Sequence, residues 1–267
     1  MNCFASEPDT QGKKLESLLR RACAEPAWRP AFYRTLLESD VLILVPDLVI
    51  VPNAHGDDVI RFVQWNRVDG SAAIPFFSSS RTLFEAVPES ARCLVLDMPT
   101  FLALSRGALL HLNPFSEFNV ELPPDEVEVL LKDGALGKPE PFTLESERHI
   151  VFLPLADPPV STLDALTLLY SQLPEVRTAY LARVMGMYEH EESLLLGLEV
   201  DGDPERVVQD TGAVIRETFQ GRHRIDVTCL GPGEQGNGTL RFPETFRFYD
   251  RRMAAVRHAP PTAPTQQ

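Results

Sequence analysis

HIVFLPLADPPVSTLDALTLLYSQLPEVRTAYLARVMGM, residues 149–187, changes its hydrophobic period twice. The apolar run at 149–155 reads as a strand. TLDALTLLYSQL (162–173) repeats apolar positions at helical spacing, and VRTAYLARVMGM (176–187) returns to strand composition. The cycle then repeats. SLLLGLEV (193–200) is a strand, DPERVVQDTGAVIRETF (203–219) a helix with Asp203 as its N-cap and Pro204 in its first turn, and RIDVTCL (224–230) a strand. The order β-α-β-β-α-β predicts a ferredoxin-like sandwich over 149–253, with two helices on one face of an antiparallel sheet.

Upstream the pattern is denser. KKLESLLRRACA (13–24) has the i, i+3, i+4 spacing of a one-faced helix, Pro26 ends it, and a second helix runs from about Pro30 to Ser39. VLILVPDLVIV (41–51) is a strand broken at Pro46. VIRFVQWNRVDGSAAIPFF (59–77) predicts a hairpin on Asp69-Gly70, with both central residues at positive φ. Ser78 to Ser80 cap a short helix, RCLVLDM (92–98) is a buried strand, and Pro99 opens another helix. ALLHLNP (108–114) and EFNVEL (117–122) are two strands turning at Asn113-Pro114, before the acidic-first helix DEVEVLLK (125–132). The fold class is therefore α+β in two domains. An N-terminal mixed α/β sheet domain with a leading helical pair occupies 13–135, a turn-rich linker 136–148, the ferredoxin-like domain 149–253, and a Pro/Thr-rich disordered tail 254–267.

A formal charge of −13, spread over both halves, disfavours nucleic acid and anionic lipid as partners. Cys3, Cys23, Cys93 and Cys229 lack the paired spacings of a zinc or redox motif. The N-terminus has no apolar core of a signal peptide, and no stretch approaches a membrane span, so a cytoplasmic protein without metal or cofactor is expected.

Several candidate sites have simpler structural readings. GPGEQG (231–236) matches the dinucleotide fingerprint in letters, but no helix follows it and Glu234 would face the phosphates. EHEE (189–192) reads as a hairpin tip, and Asp57-Asp58 and Asp201 with Asp203 as turns. Cys93 with His111 and Asn113 is the one grouping that would suit nucleophilic catalysis, although nothing local activates a cysteine within an apolar strand. In EPAWRPAFYRTLLES (25–39), Trp28, Arg29, Tyr33 and Arg34 form a candidate cation and aromatic partner surface, against which stands a helix-pair clamp. The loop ADPPVSTLDAL (156–166) resembles the ligand loop of amino-acid-sensing ACT domains, with Pro159 in place of their glycine. That resemblance makes Asp157, Pro158, Ser161 and Thr162 candidate ligand contacts.

The stretch 25–39, together with AAIPFFSSSRTL (72–83), LHLNPFSEF (110–118), LLLGLEVDGD (194–203) and FRFYDRR (246–252), resembles the SseB family of bacterial "enhanced serine sensitivity" proteins, from about residue 13 to 253. The resemblance implies an N-terminal and a C-terminal SseB domain in a cytosolic protein whose excess alters serine tolerance, with a link to a rhodanese-like sulfurtransferase. It carries over no catalytic residue. The expected function is a non-catalytic accessory or regulatory protein that binds a partner protein in amino-acid or sulfur metabolism, as a monomer or homodimer. Amino-acid sensing through 156–166 is the alternative, and an enzyme built on Cys93, His111 and Asn113 the third reading.

Overall fold

The computed structural model describes residues 8–46, 50–52, 58–67, 69–88, 90–133, 151–188, 191–231 and 240–253. The chain divides into two compact units, residues 1–137 and 138–267, each taken by itself below. The expected linker and tail lie outside the described residues.

The first unit begins with α1 (Pro8–Ala24), a 3-10 turn (Pro26–Trp28) and α2 (Arg29–Leu37). Strands β1 (Asp40–Leu44), β2 (Ile50–Pro52), β3 (Asp58–Ile60), β4 (Trp65–Asn66) and β5 (Ala72–Phe77) follow. Next come α3 (Ser80–Ala86), β6 (Cys93–Asp97), α4 (Met98–Leu104), β7 (Leu109–Leu112), β8 (Val120–Leu122) and α5 (Pro124–Asp133). The sheet runs β6-β1-β5-β7-β8, with β5 and β7 parallel and the other pairs antiparallel, while β2 and β3 form a separate ribbon.

Alternation along the strands buries both faces of this sheet. Val41, Ile43, Ile74 and Phe76 join Leu15, Leu19, Phe32, Leu36, Phe101 and Leu130 from the helices on one face. Leu42, Leu44 and Phe77 meet Leu83 of α3 and Trp65 on the other. Burying each large apolar side chain contributes roughly 1.5–3 kcal/mol before chain entropy is counted.

One edge of β5 is shared. β4 pairs with Ala72 and Ala73, and β1 with Phe76 and Phe77. That step accommodates Pro75 in an interior strand. The Asn113 amide donates to the Phe76 carbonyl (2.9 Å), so Phe76 points its peptide groups at β7, and Pro75, one residue earlier, points its own toward the gap between β4 and β1.

The expected hairpin between β4 and β5 is present, with a different turn. Gly70 N–H donates to the Arg67 carbonyl, Arg67 N–H to that of Ser71, and among the described residues of the turn only Gly70 (φ +83°) is left-handed. The loop between the closing pair Arg67 and Ser71 is therefore three residues long and ends on a left-handed glycine, where the expected two-residue turn would put Asp69 at positive φ as well. The Asp69 carboxylate accepts from the Ser71 amide and hydroxyl, which favours that turn.

The second unit contains β9 (Val151–Leu153), α6 (Val160–Ser171), β10 (Val176–Tyr188), β11 (Glu191–Val200), α7 (Pro204–Thr218), β12 (Ile225–Leu230), a 3-10 turn (Glu244–Phe246) and β13 (Arg247–Asp250). The βαββαβ element order holds, but the ferredoxin-like sheet does not. A ferredoxin-like sandwich splits each βαβ unit, placing another strand between its parallel strands. Here β11 and β12 are parallel immediate neighbours, β9 pairs antiparallel with β10, and the order is β12-β11-β10-β13.

The β10–β11 hairpin, which occupies one edge of β10, is common to both arrangements; the difference is that β12 rather than β9 takes the free edge of β11 and that β10 is not left as an edge strand. The other edge of β10 is divided: β13 takes Thr178 to Tyr180 and β9 takes Arg183 to Met185. The helices are joined by Tyr170, whose hydroxyl lies 3.3 Å from that of Thr211, and the Tyr249 hydroxyl donates to the Tyr170 carbonyl (3.0 Å). Ala182, Val184 and Leu195 form a separate cluster with Phe152, Phe242 and Phe246. Gly197 matters there because a Cβ on it would come within 2.5 Å of the Phe242 ring.

Candidate functional site

The carboxyl ends of a parallel strand pair are where open α/β sheets place their crevices. In the first unit β5 and β7 end side by side, at Ser78-Ser79 and Asn113. Asn113 is the one non-glycine residue with positive φ (+50°) among those described, and it is buried. Asparagine tolerates this conformation best among non-glycine residues. Its Oδ1 accepts from the Ser78 amide (3.0 Å), and its Nδ2 donates to the Ser78 hydroxyl (2.9 Å).

Glu16 of α1 closes the same floor. Its carboxylate accepts from the hydroxyls of Ser79 (2.7 Å) and Ser78 (3.1 Å) and pairs with Arg81, which also holds Glu85 (2.6 Å). The hydrogen bond from Arg81 to Glu16, then that to Glu85, pushes the guanidinium pKa further up. Ser79 also caps α3 in a reciprocal capping box with Thr82. Gly12 permits the approach of α1, since a Cβ there would lie 2.6 Å from the Ser78 carbonyl oxygen.

Above this floor opens a cleft of about 270 Å³, rimmed by Arg20, Phe115, Glu117 and Phe118. Phe115 is 71% exposed, yet its ring rests on Trp65 with centroids 5.3 Å apart. The Arg20 guanidinium lies over Phe118 at 5.2 Å. The polar groups of the floor satisfy one another, both serine hydroxyls donating to the Glu16 carboxylate. Aromatic and charged side chains of both signs, Arg20 and Glu117 among them, thus surround a hydrogen-bonded base.

The expected sites are dispersed differently. Cys93 on β6 and His111 on β7 are separated by β1 and β5, so Cys93, His111 and Asn113 form no cluster. His111 instead contacts Asn119 (3.1 Å). Trp28 packs against the core with the Arg21 guanidinium over its ring at 4.5 Å. Arg29 donates to the Ala22 carbonyl (3.2 Å), and Arg34 is half-buried. Tyr33, only 8% exposed, packs edge-on against Phe32 and hydrogen-bonds Glu126. Burial is the main reason the Glu126 carboxyl is raised above the ordinary range. These contacts make the segment a clamp between helices.

In the second unit Asp157, Pro158 and Ser161 are exposed. Thr162 is 1% exposed, and its hydroxyl has no hydrogen-bond partner. The N-cap of α6, Pro159, supplies no side-chain cap. Near this loop lies an apolar cleft of about 530 Å³ lined by Leu155, Leu163, Leu181, Phe246 and Phe248. Asp203 caps α7 by accepting from the Glu205 amide (3.0 Å), and Asp201 pairs with Arg177 and Arg251. Glu192 pairs with Arg183 (3.1 Å), while the remainder of EHEE lies largely outside the described residues, as do most of GPGEQG and Asp57. Among the described residues there is no group of three or more potential metal ligands, and no helix is long and apolar enough to cross a membrane.

Glu16, Arg20, Arg81, Phe115 and Phe118 were absent from the sequence-based candidates. The one local signal for this site was the pair of turn signatures at Ser78–Ser80 and Asn113-Pro114, which mark the two strand ends but not their adjacency.

Residues 15–129 match the SseB protein N-terminal domain and residues 145–251 the SseB protein C-terminal domain. The chain is 33% identical over 240 residues to Protein SseB of Escherichia coli (strain K12), covering 90% of this chain and 92% of that protein. It shows the same identity and coverage with Protein SseB of Shigella flexneri. No solved structure matches it significantly. With both domains matched in order and a full-length relative above 30% identity, the chain belongs to the SseB family.

Proposed function

We propose that this protein is a non-catalytic accessory or regulatory protein of the cytoplasm that binds a partner protein through the rim of the β5/β7 cleft. Amino-acid or sulfur metabolism is its setting, and a rhodanese-like sulfurtransferase, implied by the family resemblance, is the candidate partner. The observation that carries the reading is Phe115. Its ring is 71% exposed but held against Trp65, on a tip anchored by Asn113 and Ser78. An immobilised aromatic of this kind is what protein interfaces use as an anchor, because little side-chain entropy remains to be lost on binding.

The test is co-purification from cell extract with quantitative mass spectrometry, comparing the wild-type chain with Phe115→Ser. The expected result is a reproducible partner that the variant loses. Isolation with no partner above control overturns the proposal.

A second reading, amino-acid sensing by the 156–166 loop, is favoured by the unpartnered Thr162 hydroxyl at the start of α6. Calorimetry with the twenty amino acids decides it, and no heat at millimolar ligand ends it.

A further inference from the structure

We infer that the exposed face of α1 is a docking site for an acidic segment of the partner, gripped by Arg20 and Arg21 with Lys14 beside them. The inference rests on the partner-binding reading above and adds the chemistry of what is recognised.

Helical spacing groups these cations. Lys14 and Arg21, seven residues apart, share one stripe of α1 and Ser17 and Arg20, three apart, the adjoining one, and all four are exposed, away from the buried Leu15, Leu19 and Ala22. Glu16, the carboxylate nearest to them on α1, is turned toward Ser79 and Arg81. The outer face of α1 is thus basic in a chain of formal charge −13.

Stacking sets these two arginines apart. Elsewhere Arg67, Arg177, Arg183, Arg224 and Arg247 each reach a carboxylate. Among the described residues Arg20 and Arg21 reach none, and neither do Arg61, Arg222, Arg241 and Arg252, although acidic groups outnumber basic ones 38 to 25. The first two guanidiniums lie over rings instead, Arg20 over Phe118 at 5.2 Å and Arg21 over Trp28 at 4.5 Å. Stacking leaves the N–H edge of the guanidinium outward, the geometry that takes a carboxylate bidentately. It also restricts the arginine before binding, which lowers the entropy lost in the complex.

Charge range selects among anions. Screening acts over about 8 Å at physiological salt. A nucleic acid or membrane surface is longer than the patch and meets the surrounding negative surface, whereas an acidic segment of a few residues fits within it.

The test uses the full chain and a fluorescein-labelled octapeptide of Asp and Glu, followed by fluorescence anisotropy at low and high ionic strength. The expected result is saturable binding that weakens with salt, and a loss of about tenfold for each of Arg20→Gln and Arg21→Gln. Arg20→Lys with Arg21→Lys should also weaken binding, because an ammonium cannot fork. Lys132→Gln, an exposed change on α5, should leave binding unaltered, and a thermal melt of each variant confirms folding.

No binding by the wild-type chain overturns the proposal. So does wild-type affinity in the Gln variants, or tighter binding to phosphatidylserine vesicles or an oligothymidylate than to the peptide. If the partner is lost with Phe115→Ser but kept with the Arg20→Gln, Arg21→Gln pair, the α1 assignment falls and the partner-binding reading stands.

Discussion

Both sheets solve the same problem with different parts. In the first unit β5 shares one edge between β4 and β1, and in the second β10 shares one edge between β9 and β13. The first unit then covers both faces of its sheet with helices, with Trp65 packed beside Leu83 on one side. In the second, Phe152, Phe242 and Phe246, from a short strand and irregular chain, pack on Ala182, Val184 and Leu195. Helical cover gives a deep core that tolerates no gap. An aromatic cover works by local fit, and its stability depends on a few ring positions.

Truncation in the first core should have the largest effect. Phe101 is fully buried, with Phe76 and Phe62 rings at 5.3 and 5.6 Å. Phe101→Ala should destabilise the first unit by about 3–5 kcal/mol, read as a lower urea midpoint. In the second unit the sensitive change is an addition. Gly197→Val places its Cβ against the Phe242 ring, which already stacks on Tyr180 at 5.6 Å and meets Phe152 at 4.9 Å. A cost of about 1–3 kcal/mol is expected, with Phe242→Ala in the same chain recovering part of it. Equal costs for Phe101→Ala and Gly197→Val would erase the contrast between the two kinds of cover.

Helix starts carry the comparison to smaller energies. Ser79 and Asp203 both cap helices, but Ser79 is buried and also donates to Glu16, whereas the Asp203 contact is exposed. Replacing either by Ala should cost within the range of about 0.5–2 kcal/mol typical of caps, with Ser79→Ala at the upper end because Glu16 loses a donor. Chemical denaturation of the two variants gives the ranking, and a larger loss for Asp203→Ala would reverse it.

These positions also show what the sequence could reveal. Both caps are local, three residues or fewer from their partners, and were legible as Ser-Ser-Ser and Asp-Pro. The Asp69-Gly70 hairpin was legible for the same reason, though its loop length was not, because a loop closed by Arg67 and Ser71 places only the glycine of the pair at positive φ. Strand partners were not legible. FRFYD at 246–250 looks no different from an end segment, yet β13 takes an edge position on β10, and the same βαββαβ order fits several sheets. The candidate site was hidden for a related reason. Glu16 reaches Ser79 across 63 positions, and no periodicity encodes a contact between one helix face and one strand end.

Protonation should separate the units as well. Burial raises the Glu126 carboxyl of α5, so the folded state keeps its proton at pH values where the unfolded chain has released it. Stability then falls as pH rises from the unfolded carboxylate pKa through the raised folded one, because the native state binds more protons in that window. Glu126→Gln removes this slope. Urea midpoints at about pH 4 and about pH 7 should differ less in the variant than in the wild type, and parallel profiles would show that Tyr33 and Arg29 already compensate the buried charge.

The smallest effect is expected at Thr162, and its sign is the informative part. Ser79 and Thr162 are both buried hydroxyl residues near helix starts, 2% and 1% exposed, but only Ser79 has partners. Removing an unpartnered buried hydroxyl while keeping the shape restores a desolvation cost and breaks no bond. Thr162→Val should therefore leave the second unit unchanged or slightly more stable, by less than about 1 kcal/mol, where Ser79→Ala weakens the first. A clear loss on Thr162→Val would mean that the hydroxyl is bonded in solution. Its partner would then be water or a bound small molecule at the mouth of the 156–166 loop, and repeating the melt with each amino acid would tell the two apart, since only a ligand of the hydroxyl raises the wild-type melting temperature and not that of the variant.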